Sequence, residues 1–262
     1  MMYTKEQLKA QIRSMGILPT DTVLIHTSMR AIGQVEGGAD TVIDAFCESL
    51  HEGLFLVPTH TWASVQPHSP IYDVRTSVPC IGALPRVAAF RSDGVRSLHP
   101  THSVWAHGKN AEEFVRGEEL ATTPCPPGFL WDRLADVGAK ILLLGVKLDK
   151  NTFIHAIDEL ADLPDRLSQH PYDLTIRDAQ GRENKHSFRG HWCSRTDDVS
   201  RQFVNFETPL RVRGAMQYGT FGDAQVRIVD ARLCRDVIMT IYARAIEDLC
   251  VKQQEIPAEL YL

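Results

Sequence analysis

Four short apolar runs stand out along the chain and predict buried strands. They cover residues 22–26 (TVLIH), 54–57, 141–146 (ILLLGV) and 225–229. An unbroken apolar run of this length is typical of a strand that is covered on both faces, as in a parallel or mixed sheet. Pro58 ends the second run, since proline has no backbone N–H to donate to a neighbouring strand.

Between these runs, apolar residues recur at helical spacing. Thr4 can cap a first helix with Gln7 as its capping-box partner, and Gly16 ends that helix. Further helices are predicted over residues 42–50, about 82–90, from about 152 and over 231–250. A turn at residues 178–181 (DAQG) between two alternating segments predicts a late β-hairpin. Strands and helices alternate, which favours an α/β sandwich with a mixed central sheet, as one domain over residues 1–262.

Composition narrows the classes of function. The 262-residue chain has a formal net charge of -5, whereas nucleic-acid-binding proteins are usually basic. The chain has no apolar run of the roughly 20 residues that cross a bilayer, and its first residues lack the apolar core of a signal peptide. We therefore expect neither nucleic acid nor a membrane as partner. The six cysteines are scattered without a CxxC pair, which favours reduced thiols and a cytoplasmic location.

A glycine-rich loop follows the first predicted strand and leads into a helix. Gly33, Gly37 and Gly38 allow tight turns, and the free N–H groups at a helix start can bind an anion such as a pyrophosphate. The alternative is a plain strand-to-helix turn, and the acidic Glu36 and Asp40 beside the loop support that alternative. Residues 63–80 are rich in Pro, Ser and Thr and predict a long loop over a site.

Three histidines fall within the segment RSLHPTHSVWAHG, at residues 96–108. His99, His102 and His107 invite a zinc hypothesis, but Pro100 opposes a helix that would bring the first two onto one face. A polar loop that contacts substrate or cofactor is the favoured interpretation. His107 is equally compatible with a plain surface position.

The segment NTFIHAIDEL places a histidine at the carboxyl end of a predicted strand, where open α/β sheets bind their ligands. Asp158 and Glu159 follow His155 by three and four residues, so either carboxylate can reach its face of the helix. A carboxylate beside an imidazole is what a general base needs. The alternative is a core histidine that a local carboxylate satisfies.

Acidic residues continue beyond this histidine, at Asp162 and Asp165. The run is either a solvated helix face or a receptor for a polyamine. Further on, His191 and Cys193 lie in the segment HSFRGHWCSR, where a Cys–His nucleophilic pair would need a third orienting group that the sequence does not identify.

Together these segments resemble the aminoglycoside 3-N-acetyltransferase family over roughly residues 5–245. The resemblance rests on ordered motifs, which here are His26-Thr27-Ser28, Gly33-Gln34-Val35-Glu36-Gly37-Gly38-Ala39, Pro58-Thr59, Arg96-Ser97-Leu98-His99-Pro100, the strand Leu142 to Val146, and Asn151-Thr152-Phe153-Ile154-His155-Ala156-Ile157-Asp158. Two departures stand out. The last motif has Asp158 where the family usually has Glu, and Gly190 precedes His191 where some members carry an acid.

The resemblance implies a three-layer α/β/α sandwich and an N-acetyltransferase that moves the acetyl group of acetyl-CoA onto the 3-amino group of an aminoglycoside's 2-deoxystreptamine ring, which confers resistance. It implies His155 as general base, with Asp158 or Glu159 to orient it, and it requires no metal. The residues expected to bind the cofactor are Ser28, Met29, Arg30, Gly33, Val35, Gly37, Gly38, Thr59, His99 and Ser103. The residues expected to bind the cationic amine are Asp158, Glu159, Asp162, His102 and His191.

Three alternatives stay open at this point. The same chemistry could act on a non-antibiotic amine, or His99, His102 and His155 could form a metal-dependent hydrolase. The chain could also bind CoA or a polyamine without catalysis. The hydroxyls of Thr59 and Ser103 are candidate donors to a developing oxyanion. The protein is expected to be a monomer or a homodimer.

Overall fold

The computed structural model describes residues 2–245 and 252–262. The strands are β1 (Thr22–Thr27), β2 (Leu54–Pro58), β3 (Ile71–Asp73), β4 (Val95–Arg96), β5 (Val104–Gly108), β6 (Lys140–Leu144), β7 (Tyr172–Arg177), β8 (Glu183–Phe188), β9 (Met216–Phe221) and β10 (Ala224–Asp230). The α-helices are α1 (Lys5–Ser14), α2 (Met29–Ile32), α3 (Gly38–Ser49), α4 (Ala83–Ala88), α5 (Ala111–Val115), α6 (Leu130–Asp136), α7 (Phe153–Leu160), α8 (Glu207–Val212) and α9 (Ala231–Arg244).

Seven strands form a mixed central sheet in the order β4-β5-β2-β1-β6-β10-β9. The three central strands, β2, β1 and β6, run parallel. The outer strands on both sides pair antiparallel with their neighbours. The parallel centre therefore brings the carboxyl ends of β1, β2 and β6 to one edge of the sheet.

The apolar strand runs are unbroken because each strand feeds two hydrophobic cores. In β6, Ile141 and Leu143 pack into the core with α6, α7 and α9, whereas Leu142 and Leu144 pack into the core with α1, α3 and α4. Side chains alternate between the faces of a strand, so burial on both sides makes every position apolar. The predicted three-layer α/β/α sandwich with a mixed sheet is confirmed.

Several predicted helix starts are confirmed, whereas α3 begins at Gly38, four residues before the range predicted for it. Thr4 caps α1 with Gln7 in a full capping box, and α7 begins next to Thr152 as expected. The long helix predicted over residues 231–250 ends at Arg244, since Ala245 has an extended backbone. The remainder of that range, residues 246–251, lies outside the described residues. In the part of the chain described, no helix is both long and apolar enough to span a membrane.

A second, three-stranded sheet lies beside the main one in the order β3-β7-β8. Strands β7 and β8 form the predicted late hairpin. The segment predicted as one long loop over residues 63–80 contains β3, which pairs with β7. The buried Tyr72 of β3 donates a hydrogen bond from its hydroxyl to the backbone O of Ser97 (2.8 Å), which ties the small sheet to the main one.

The buried side chain of Arg96 holds the loops between the two sheets. Its guanidinium donates to Ser77 O (2.7 Å) and Thr59 O (3.0 Å), and its Nε lies 3.2 Å from Thr59 Oγ1 and 3.3 Å from Ser103 Oγ. The guanidinium carbon also lies 5.2 Å from the centre of the Tyr72 ring. Burial lowers the pKa of Arg96. Carbonyls, hydroxyls and a ring face thus replace water around this cation.

We predict that Arg96→Met lowers the free energy of unfolding by about 2–4 kcal/mol, because methionine fills the space but leaves buried carbonyl acceptors short of donors. Urea denaturation followed by tryptophan fluorescence measures this change. Arg116→Ala is the matched control, since Arg116 is exposed and its loss should change stability by less than about 0.5 kcal/mol. Equal stability of Arg96→Met and wild type would contradict the assigned role.

Candidate active site

A cleft of about 880 Å³ opens at the carboxyl ends of the three parallel strands. Its lining includes His26 and Thr27 of β1, Pro58 of β2 and Val146, two residues after β6. Loops from the small sheet and from the residues around 190–201 complete it. The cleft therefore lies where ligands bind in open α/β sheets.

Five histidines line this cleft, in neighbouring positions. The ring centres of His60 and His102 are 4.5 Å apart, those of His102 and His191 are 5.1 Å apart, and those of His191 and His155 are 4.0 Å apart. His26 stacks on Trp131 at 6.3 Å between ring centres, and the edge of Trp131 also packs against His60. Each histidine comes from a different loop or element, so the fold and not the sequence spacing assembles the cluster.

Burial keeps most of these imidazoles neutral. It lowers the pKa of His26 to about 3, and it lowers the pKa of His60, His102 and His155 well below the ordinary value of histidine. Nearby histidines lower the pKa of His60, His102 and His155 further, because a charge on one disfavours a charge on the next. At neutral pH these four rings have a nitrogen lone pair that can accept a proton.

His155 lies in the first turn of α7 and lines the cleft as predicted. Its ring stacks on His191 with an interplanar angle of 26°, and the edge of Phe203 packs against it at 4.8 Å between ring centres. These two aromatic contacts fix the orientation of the ring. The expectation that Asp158 or Glu159 orients it directly has to be corrected, because both carboxylates bind elsewhere.

Asp158 turns into the protein interior. It is 1% exposed, accepts a hydrogen bond from the Tyr242 hydroxyl (2.6 Å) and lies 3.4 Å from Arg166 Nε. Burial raises the pKa of Asp158 to about 6, and the charge of Arg166 opposes that rise. Asp158 therefore joins α7 to α9 behind the cleft, and the predicted roles in catalysis and substrate binding do not fit this position.

The Glu159 side chain extends toward His191, the residue that stacks on His155. Its carboxylate accepts hydrogen bonds from Thr123 Oγ1 (2.5 Å) and from the backbone N–H of Cys125 (2.8 Å), and it lies 3.4 Å from His191 Nε2. The carboxylate side chain is 4% exposed. The arrangement is thus a carboxylate behind His191, with His191 stacked on His155.

Three residues expected to contact the cofactor are engaged by protein groups. Thr59 and Ser103 are fully buried, and Ser103 Oγ donates to Thr59 O (2.8 Å) beside Arg96. His99 uses both ring nitrogens, since Nδ1 accepts from the N–H groups of Thr101 and His102 and Nε2 donates to Thr123 O. None of the three is among the described residues that line the cleft. The alternative metal triad of His99, His102 and His155 is disfavoured for the same reason.

The predicted cofactor loop from Ser28 to Gly38 lies beyond the cleft lining, which ends at Thr27 on this side. Ser28 caps α2, Arg30 is exposed, and Met29 and Val35 pack against a hydrophobic core. Gly33 has φ of 90° and faces the Asp223 carboxylate, with Gly37 and Gly38 also at positive φ. The predicted role of this loop in holding CoA stays a prediction.

Acidic residues do line the cleft, but they are not those predicted. Asp162 is exposed and lies outside the lining, whereas Asp149, Asp197 and Asp198 contribute to it. Asp149 lies in a single 3-10 turn, and Asp197 and Asp198 immediately precede a 3-10 helix, so no strand or α-helix periodicity marks them. A short acidic pair, Asp197-Asp198, was the sequence signal that could have identified two of them.

Asn151 is a further cleft residue to which the sequence pattern assigned no chemical role. It lines the cleft, is 1% exposed, and both atoms of its side-chain amide are without a hydrogen-bond partner among the described residues. The Nε2 atoms of His26 and His60, which line the same cleft, also lack a hydrogen-bond partner among the described residues. Unpaired polar atoms in such positions are costly unless a ligand or water meets them, so this part of the cleft is suited to a polar ligand group.

Gly190 fits the cleft because it has no side chain. A Cβ at this position would lie 2.6 Å from the Tyr172 hydroxyl oxygen. Tyr172 and Gly190 both line the cleft. The tyrosine hydroxyl thus occupies the space that any side chain at residue 190 would need.

The comparisons with known proteins agree with one another. The profile described as aminoglycoside 3-N-acetyltransferase matches residues 24–243. Aminoglycoside N(3)-acetyltransferase VII of Streptomyces paromomycinus is 31% identical over 253 residues, which cover 87% of this chain and 88% of that protein. The crystal structure of aminoglycoside acetyltransferase AAC(3)-Xa has a TM-score of 0.77 and 28% identity, with 90% of each chain covered. A structure described as AAC-IIIb binary with CoASH, at 22% identity, shares the fold with a TM-score of 0.78 over 90% of this chain and 94% of that one.

Because these histidines are buried, we predict that the free energy of unfolding falls in acid. In the unfolded chain histidine titrates near pH 6.5, whereas in the folded protein burial holds the pKa of His26 at about 3 and that of His99 at about 4. Below pH 6.5 the unfolded state binds protons that the folded state does not. The free energy of unfolding should therefore fall between pH 6.5 and 4, by up to about 1.4 kcal/mol per pH unit for each such histidine.

Urea denaturation at a series of pH values measures this slope. His26→Gln should make the slope shallower by up to one histidine's share, whatever its effect on stability at neutral pH. His51→Gln, at an exposed position, should keep the wild-type slope. An unchanged slope in His26→Gln would show that His26 does not contribute.

Proposed function

Because the chain belongs to the aminoglycoside 3-N-acetyltransferase family, we propose that it transfers the acetyl group of acetyl-CoA to the 3-amino group of an aminoglycoside, with His155 as general base. The observation that carries the proposal is the cleft at the strand ends, where neutral His155 stacks on His191 and Glu159 stands behind. A relative named as a CoA complex has the same fold, which supports acetyl-CoA as the donor.

His155 would act on the amine. The thioester of acetyl-CoA supplies an activated acetyl group, so the protein has to bring a neutral amine to it and remove a proton. As the amine nitrogen forms its bond to the carbonyl carbon, a ring nitrogen of His155 takes the amine proton, and the carbon–sulfur bond breaks to release the thiolate of CoA. General-base assistance of this kind is typically worth about 10²–10⁴-fold in rate.

Glu159 would stabilise the charge that His155 gains. The carboxylate is separated from His155 by His191, and its hydrogen bonds from Thr123 and Cys125 hold it in place. A fixed negative charge near a ring favours the protonated form of that ring. The positive charge that forms on His155 would therefore lie near the Glu159 carboxylate, with the His191 ring stacked between them.

Asn151 would donate a hydrogen bond to the acetyl carbonyl oxygen of acetyl-CoA. Its amide N–H groups lack protein acceptors, and it lies on the same cleft as His155, four residues earlier in the chain. A buried N–H group without a protein partner can donate a hydrogen bond to the carbonyl oxygen, which becomes negative during acyl transfer. Thr59 and Ser103 are poorly placed for this role because they are bonded to each other and to Arg96.

The acceptor would be held by charge and by aromatic faces. Asp149, Asp197 and Asp198 on the cleft can pair with the ammonium groups of a polycation. Trp62 and Trp192 line the same cleft and are 46% and 41% exposed, which gives a sugar ring two apolar faces to pack on. Both features suit a cationic oligosaccharide. Gly190, where some relatives carry an acid, concerns the choice of acceptor more than the transfer itself.

We predict that His155→Asn lowers kcat by about 10²–10⁴-fold with little change in the KM for acetyl-CoA. Release of free thiol from acetyl-CoA, followed with a thiol-reactive dye against a panel of aminoglycosides and simpler amines, measures both constants. His51→Gln serves as the control. Full activity in His155→Asn together with loss in His191→Asn would move the base to His191. Release with simple amines alone would reject aminoglycosides as the acceptors.

Asn151→Ala should lower kcat by about 10²-fold or more, because the oxyanion would lose a preorganised donor. The same thiol-release assay measures it, and circular dichroism checks that the variant is folded. Asn184→Ala is the matched control, as Asn184 is exposed on β8. A kcat for Asn151→Ala within twofold of wild type would exclude Asn151 as the donor.

A further inference from the structure

Three metal-binding types of side chain meet at the sheet edge opposite the cleft. Cys47 comes from α3, Asp93 from the loop before β4, and His107 from β5. One ligand atom of each lies within 4.8 Å of the others. His107 pairs with Phe55 near the start of β2, whereas the cleft lies beyond the end of that strand. The cluster is thus separate from the proposed catalytic residues.

His107 has the tautomer that a metal ligand needs. Its Nδ1 lies 2.6 Å from the backbone O of Asp93, and a carbonyl oxygen can only accept a hydrogen bond. The proton is therefore on Nδ1, and Nε2 is the ring nitrogen left for a metal. A ring that donates its other N–H to a backbone carbonyl is the usual arrangement of a metal-bound histidine. The ring is also stacked against Trp105, with 5.9 Å between ring centres.

The loop that carries Asp93 is held firmly against the sheet. Gly94 approaches the indole ring of Trp105 so closely that a Cβ at this position would lie 2.4 Å from ring carbons. Arg91 adds two hydrogen bonds to the Asp93 carboxylate, at 2.9 and 2.6 Å. Asp93 and His107 are thereby placed before any ion binds, and each carboxylate oxygen retains a lone pair for a metal.

The charges around the cluster favour a cation. Arg91 is bonded to three carboxylates, those of Asp40, Asp44 and Asp93, so negative charge is in excess. The half-buried Cys47 lies in the same field. A divalent cation would neutralise the excess charge and replace the thiol proton.

We propose that Cys47, Asp93 and His107 form a zinc site that fastens α3 to the edge of the central sheet. The Cys47 thiolate, the His107 imidazole and an Asp93 oxygen supply three ligands, and a water completes a tetrahedral set. The combination of sulfur, nitrogen and oxygen donors suits Zn²⁺ better than the harder Mg²⁺ or Ca²⁺. Binding releases one proton from Cys47 to solvent, with no redox change.

Titration of the tag-free protein with Co²⁺ tests this proposal. A thiolate ligand gives a cobalt charge-transfer band in the near ultraviolet, and Zn²⁺ should abolish the band by displacement. Competition with a chromophoric chelator then gives the zinc affinity. Cys47→Ser should remove the band, and His107→Gln should weaken zinc binding by at least about 100-fold, since loss of an outer partner alone typically costs 10–100-fold.

The controls separate this site from other cysteines and histidines. Cys80→Ser and His51→Gln should keep both the band and the affinity. Zinc should raise the melting temperature of the wild type and leave that of Cys47→Ser unchanged. A missing band in the wild type would overturn the proposal. So would a band that survives in Cys47→Ser and disappears in Cys125→Ser, because Cys125 forms a second candidate group of ligands with Glu159 and His191.

Discussion

The buried guanidinium of Arg96 is the constraint on which the architecture of the cleft depends. It bonds Thr59 and Ser103, and these two residues directly precede and follow the cleft histidines His60 and His102. Its contacts to Ser77 and to the Tyr72 ring extend the same restraint to the loop and strand of the small sheet. Arginine suits this position because five donors in one rigid plane can serve several loops at once, and because it retains its charge when buried.

The position of that charge also influences the chemistry of the cleft. Arg96 is one of the positive groups that lower the pKa of His60, and Arg166 does the same for His155. Together with burial, these cations oppose protonation of the imidazoles in the resting protein. A cluster of five histidines would be a strongly repulsive group of charges if it were protonated. As neutral rings, His60 and His102 pack on each other and present lone pairs to a ligand.

The sequence predicts the frame of this protein well and the interior of its site only in part. The apolar runs identify β1, β2, β6 and β10 because burial on both faces leaves no alternation to misread. Helix α7 and the position of His155 follow from the same reasoning. The short strands β5 and β9 escape it, since polar residues such as His107 and Gln217 interrupt their patterns.

The partners of His155 could not be predicted from spacing. Residues three and four positions along a helix lie about 60° to one side of a given residue and about 40° to the other, so both remain plausible neighbours. Tyr242, 84 residues later in the chain, and Arg166, in the segment after α7, hold Asp158 inward, while Glu159 faces the cleft wall. His60 and Asn151 come together only through the order of strands β2, β1 and β6.

The close approach of Gly190 to Tyr172 could not be predicted from the sequence either. It makes the effect of a substitution at one of these residues depend on the other. An acid at residue 190 is compatible with this cleft only after Tyr172 has been replaced by a smaller side chain or has moved. The two positions are therefore expected to change together during evolution, because the residue tolerated at one depends on the side chain at the other.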